Sequence, residues 1–301
     1  MNWLWFAFSG PVFWAASTHI DKYLVEKYFK RASTAVLMVF TALIGLLLLP
    51  FVWYWKPDVL MLPVESIAVM MASGVLYMAA MLFYLQALQT EEASVVAPLF
   101  QMSALFTYGL AFVFLHEALT GLQLGAGALI LCGAFLLSSK SLRLRAFKSR
   151  LVFPMFLASL ALALSSVIFK FFAVSDEFWK TVFWTYAGEA VFGFVLLAIP
   201  AYGKQFVALF KRHPGAMAGV NVANELINLG GSLGVRYAFV LAPVAIVQAI
   251  SSTTLLFIFG FGIVLTLFFP RLGREDLSWT NLVQKGAAAV LIGLGVFFIN
   301  R

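Results

Sequence analysis

Hydrophobic and polar positions along this chain fall into long blocks. Ten apolar runs, near 3–20, 33–54, 66–88, 92–114, 120–138, 150–173, 180–199, 214–236, 243–267 and 281–299, are separated by short clusters of charge, proline or glycine. Each run is close to the roughly 20 residues an α-helix needs to cross a hydrocarbon core. The pattern predicts an all-α membrane protein with ten transmembrane helices. Its longest connections, Lys140 to Arg150, Ala201 to His213 and Phe269 to Thr280, leave no room for a soluble domain or an enzyme site of their own.

Charge adds an orientation to this picture. Fourteen basic residues lie in the connections after runs 1, 3, 5, 7 and 9: Lys22, Lys27, Lys30, Arg31, Lys140, Arg143, Arg145, Lys148, Arg150, Lys204, Lys211, Arg212, Arg271 and Arg274. The other side holds four, Lys56, Lys180, Arg236 and Arg301. Because basic loops stay cytoplasmic, both termini are expected outside the cytoplasm. The same confinement to loops reads the net charge of +7 as membrane anchoring and not as a nucleic-acid surface. Composition agrees: 63% of the 301 residues are hydrophobic and 11% charged, with a mean hydropathy of +0.97, whereas soluble domains carry roughly 25% charged residues. The first run starts at Trp3 with no basic residue before it, so it reads as a membrane helix and not as a signal peptide. The single cysteine, Cys132, lies in an apolar run, is expected to pack, and allows neither an intrachain disulfide nor a multi-cysteine metal cluster.

The chain also repeats itself. Glu117-Ala118-Leu119-Thr120 precedes run 5, which contains Leu129-Ile130 and then Gly133; Glu275-Asp276-Leu277-Ser278 precedes run 10, which contains Leu291-Ile292 and then Gly295. Thr120 and Gln123 form a capping-box pair at the start of run 5. Ser17, Ile20 and Lys22 align with Ser165, Ile168 and Lys170. A unit with an odd number of spans reverses the direction of the next. Residues 1–148 and 149–301 therefore read as two inverted five-helix repeats, an architecture that places a substrate site near the midplane.

These segments, together with Ala87-Leu88, Ala93-Ser94-Val95-Val96-Ala97-Pro98, Ala242-Pro243-Val244-Ala245 and Leu291-Ile292-Gly293-Leu294-Gly295, resemble the EamA-like repeat of the drug/metabolite transporter superfamily. The resemblance implies ten helices around a central cavity, with helices 5 and 10 as partners at the rim, in a bacterial inner-membrane transporter.

Polar residues inside the runs mark the candidate site. In run 8, Asn221, Asn224, Glu225, Asn228 and Ser232 follow at i, i+3, i+4, i+7 and i+11, one stripe of a helix. A carboxylate at membrane depth is costly and should face a cavity or a partner. Glu189 in run 7, with Thr185 and Thr181 at one-turn intervals before it, carries the same implication. Lys170 reads either as its counter-ion or as an anchor near the interface. Gln248, Ser251 and Ser252 in run 9, and Gln101 and Tyr108 in run 4, could meet a polar solute or join helices. Tyr77, Tyr84 and Trp14 are candidate aromatic walls. Asp21 and His19 stand near a cavity mouth, Glu91 and Glu92 at a helix start, and Gly121, Gly125, Ala289 and Gly293 on candidate packing seams.

No phosphate-binding loop, metalloprotease motif or metal-spaced histidine cluster occurs, so neither a cofactor nor nucleotide hydrolysis is expected. The reading is a secondary active transporter, not an enzyme. It would move a small organic metabolite or amphipathic compound by alternating access, with Glu189 or Glu225 as the candidate site of a coupling proton and lipids as its only other partner. A lipid-linked carrier flippase and a non-transporting scaffold or receptor are the alternatives.

Overall fold

The computed structural model describes residues 3–28, 33–90, 96, 99–138, 149–175, 177–268 and 278–299. Among them every regular element is helical. In chain order the α-helices are α1 (Trp3–Lys27), α2 (Thr34–Ile44), α3 (Leu49–Trp55), α4 (Val64–Thr90), α5 (Met102–Phe114), α6 (Gly121–Ser138) and α7 (Ser149–Ser175). There follow α8 (Phe178–Ala198), α9 (Pro200–Arg212), α10 (Val222–Leu241), α11 (Val244–Ser251), α12 (Thr254–Phe268) and α13 (Trp279–Ile299).

Six stretches are long and apolar enough to cross a membrane: Thr34–Trp55, Val64–Gln89, Leu151–Ser175, Phe178–Ala198, Val244–Phe268 and Trp279–Ile299. The chain is thus an integral membrane protein. The other four of the ten expected runs are helical too, but α5 and α6 are shorter, and α1 and α10 carry more charged and polar residues. Boundaries differ from the expected runs where a charged residue lies inside a helix. α10 continues past Arg236 to Leu241 and begins with a π-helical turn, Ala216–Asn221. The expected loop at 201–213 is instead the amphipathic helix α9, which buries no residue fully and ends on Lys211 and Arg212. Its Phe206 packs on Phe40 of α2, ring centroids 4.6 Å apart.

Local chemistry sets the breaks. Ala242 and Ile199 are extended, the conformation favoured before proline, and Pro243 caps α11 while Pro200 starts α9. At the start of α6 the capping box is formed: Thr120 N–H donates to Gln123 Oε1 at 3.0 Å, and Gln123 N–H to Thr120 Oγ1 at 3.2 Å. Between α7 and α8, Glu177 adopts φ 86°, a region that non-glycine residues rarely enter. Lys56 pairs with it at 2.6 Å and Lys180 with Asp58 at 2.6 Å. Trp184 Nε1 donates to Val59 O at 2.7 Å, so two contacts bind the turn Pro57–Leu60 to α8 and a third joins the residues just before each.

Helices in lipid gain little from hydrophobic burial against one another, so small residues that permit close contact decide the packing. α6 packs along α13, and the contact is reciprocal. A Cβ on Gly133 would lie 2.7 Å from Ile292 and 2.9 Å from the Ala288 carbonyl; one on Gly295 would lie 2.6 Å from Ile130 and from the Ala126 carbonyl. The seam expected at Gly121, Gly125 and Gly293 is on the wrong face: nothing approaches these glycines within 4 Å, and Gly293 and Cys132 are exposed. α4 crosses α8 backbone to backbone at Gly74 and Gly188. α1 packs along α10 through Gly10, Gly231 and Gly234, as α4 packs along α7, and α12 meets α1 as α5 meets α7.

Candidate functional site: a cavity between the two halves

These crossings leave a cavity of ≈ 350 Å³ whose wall comes from α1, α2, α4 and α5 of the first half and α7, α10, α11 and α12 of the second. Ten of the site candidates singled out in the sequence line it: Trp14, Asp21, Tyr77, Tyr84, Gln101, Asn228, Ser232, Gln248, Ser251 and Ser252. Tyr84 lies against Phe100, centroids 4.4 Å apart. The polar groups of runs 4 and 9 meet across the wall, with Ser252 Oγ donating to Gln101 Oε1 at 2.6 Å and Gln248 Nε2 to Ser103 Oγ at 3.4 Å. Tyr108 is not in the lining; it packs near Phe112.

Glu225, Asn224, Asn221 and Glu189 are buried outside the lining. Their hydrogen bonds reach the wall. Asn224 Nδ2 donates to Asp21 Oδ1 at 2.6 Å, and Glu225 accepts from Thr41 Oγ1 at 3.0 Å and from Asn228 Nδ2 at 3.5 Å. Asp21, Thr41 and Asn228 all line the cavity. The stripe on α10 thus presents Asn228 and Ser232 directly, and Glu225 through a hydroxyl and an amide. Asn221 Nδ2 is buried with no partner. His19 Nε2 lies 3.0 Å from the Ile258 carbonyl.

Glu189 does have a buried counter-ion, but it is Arg236 and not Lys170. Both side chains are nearly inaccessible, at 3% and 7% exposure. Arg236 lines the cavity and sits among aromatic rings, 4.3 Å from the centroid of Tyr186, 5.4 Å from Phe169 and 5.6 Å from Tyr77. The sequence reading missed it by counting it among loop cations. Spacing carried the signal: Arg236 follows Ser232 by four and Glu225 by eleven, so it continues the polar stripe of α10. Lys170 instead pairs with Glu117 and donates to the Ala242 carbonyl at 2.6 Å, while Glu117 Oε2 accepts the Val244 N–H at 2.9 Å. This group of charges ties the α5–α6 connection to the break between α10 and α11. The helix-start pair Glu91 and Glu92, the repeat residue Glu275 and the basic residues Lys30, Arg31, Lys140, Arg143, Arg145, Lys148, Arg271, Arg274 and Arg301 lie outside the described residues.

Residues 1–139 match the EamA-like transporter family, which is consistent with the drug/metabolite transporter superfamily. A solved crystal structure of a protein superposes with a TM-score of 0.69 over 98% of this chain and 96% of its own, at 12% identity, a likeness of fold alone. No curated protein matches the chain.

Proposed function

We propose, on the premise that a chain whose first 139 residues match EamA-like transporters is a membrane transporter, that this protein carries a small organic solute by alternating access between two inverted five-helix repeats. The carrying observation is the cavity walled by both halves. At one end Thr18 and Asp21 are exposed; towards the other, Arg236, Phe239 and Ser103 are buried, and Lys170 and Glu117 tie the helices together beyond them. An access path open at one end only is what such a carrier needs in one of its two states. The reciprocal glycines of α6 and α13, and the paired crossings α1–α10 with α4–α7 and α12–α1 with α5–α7, support the inverted repeat.

The exposed end is where α1 finishes, the side of the basic connections. On this reading it faces the cytoplasm of the bacterial inner membrane, with both termini outside. With Arg236 removed from the loop tally the asymmetry is fourteen to three. A reporter active only in the cytoplasm, fused after Arg301, should be silent; activity there rejects the orientation.

Glu225 is assigned the coupling proton. It is buried, it reaches the lining through Thr41 and Asn228, and Asp21 stands close by on the neighbouring amide. Uptake into proteoliposomes, measured from about pH 5.5 to 8.5, tests both parts of the proposal. Wild-type protein should accumulate a solute down an imposed gradient. Glu225→Gln, which keeps shape and most hydrogen bonding, should flatten the pH profile without unfolding the protein. An unchanged profile removes Glu225 from coupling, and absence of uptake for any organic solute removes the transport reading.

A further inference from the structure

We infer that the solute held in this cavity is an organic monocarboxylate, anchored by Arg236. The inference rests on the cavity being the transport site and names what it selects. Arg236 Nη2 is taken by Glu189, but Nη1 is buried with no partner of its own. Glu189 is not in the lining, whereas Arg236 is. The guanidinium is therefore held by a carboxylate that lies outside the lining and keeps one buried nitrogen without an acceptor. A buried charged donor without an acceptor is costly, and a ligand oxygen placed there removes the cost. The rings of Tyr186, Phe169 and Tyr77 surround the cation, so an acceptor meets it along its edge, the geometry that suits a carboxylate. Phe169 and Tyr77 also line the cavity and offer an apolar wall to the rest of an organic acid.

Charge counting narrows the class. Among the described residues, Arg236 and Asp21 are the only charged ones in the lining. One cation, already shared with Glu189, does not suit a solute with several negative charges. Asp21 is bonded to Asn224, twelve residues before Arg236 on the same helix, which is about 18 Å at 1.5 Å per residue. No α-amino acid spans that distance. With its carboxylate on Arg236, its ammonium would face the same cation, out of reach of Asp21 in the lining.

The test uses the full chain in lipid nanodiscs and four probes that share one body: phenylpropanoate, phenylpropanamide, phenylpropylamine and phenylalanine. Binding is read by titration calorimetry, with the fluorescence of Trp14 and its neighbours as a second signal. In the wild type the carboxylate should bind at least about tenfold more tightly than the amide, the order expected for one charge-assisted hydrogen bond. The amine and phenylalanine should rank below the carboxylate. The double variant Glu189→Gln/Arg236→Gln removes both charges together and leaves no lone buried ion, and in it the margin between carboxylate and amide should vanish. Glu189→Gln alone frees the second nitrogen and should keep or widen the margin. Laurate, run beside the four, separates a membrane-derived acid from a soluble one; tight binding of either with the same dependence on Arg236 supports the anchor. The inference is overturned if amide or amine matches the carboxylate in the wild type, a ranking that does not depend on any variant folding. It is equally overturned if the margin survives in the double variant, or if none of the acids binds. Binding of the amine or amide instead leaves the transport reading standing, and the uptake assay judges that reading separately.

Discussion

Replacing Gly74 by alanine would place a methyl group 2.0 Å from the Thr185 carbonyl oxygen and 2.9 Å from the Glu189 amide nitrogen. The obstacle is backbone, so no side chain can turn aside. Ordinary contact begins at about 3.4 Å, which means α4 and α8 must part by roughly 1 Å or more at their crossing. Overpacking of this kind costs roughly 1–3 kcal/mol. Alanine also favours the helix over glycine by about 1 kcal/mol, which would partly hide the clash. The matched control is Gly109→Ala in α5, where a Cβ meets nothing within 4 Å and the same propensity gain applies. The difference between the two variants isolates the crossing. The displacement also bears on the site, because Thr185 lies 3.3 Å from Ser73 of α4 and Glu189 is the partner of Arg236. Thermal unfolding of the purified protein should show Gly74→Ala melting several degrees below Gly109→Ala, a few degrees per kcal/mol being usual. Gly188→Ala should behave alike, since its Cβ would fall 2.0 Å from the Met71 carbonyl. If Gly74→Ala melts with or above its control, the close backbone crossing is wrong.

Other consequences are local. Lys170→Met leaves Glu117 without its cation in a setting where Glu117 is only 16% exposed, and should cost roughly 3–5 kcal/mol in unfolding measurements. Adding Glu117→Gln should recover most of that loss; no recovery would show that the pair does not act as a unit. Thr120→Ala deletes one half of the capping box and should destabilise by about 1 kcal/mol, visible as faster hydrogen exchange in the first turn of α6. Lys180 holds the Asp58 carboxyl below its ordinary range by donating to it. With a depressed folded value, this contribution is complete above the unfolded pKa of about 3.9 and fades as pH falls through the folded one. Wild type should therefore lose stability below about pH 4 more than Asp58→Asn does, and high salt should shrink the difference.

Much of this fold is written in local sequence. Helicity follows from apolar runs of spanning length, and the capping box from Thr120 and Gln123 alone. The stripe of α10 follows from the helical period, because each of these depends on residues within a turn or two of one another. The pairing of α6 with α13 was implied by the family resemblance. The face each presents was not, since both helices carry small residues on two sides. Only the partner's position decided that Ala126, Ile130 and Gly133 face inward while Gly121 and Gly125 do not. Glu189 announced by its depth that it needed a counter-ion. Whether Lys170 or Arg236 supplied it depended on which helices became neighbours, and the cation assigned to a loop was the one inside. Likewise the sequence marked Glu225 as costly but could not say that Thr41 and Asn228 stand between it and the cavity. A helix period is fixed by covalent geometry and can be read in one dimension. The identity of a buried partner is settled only when crossings set by Gly74, Gly188, Gly10 and Gly234 bring distant backbones into contact.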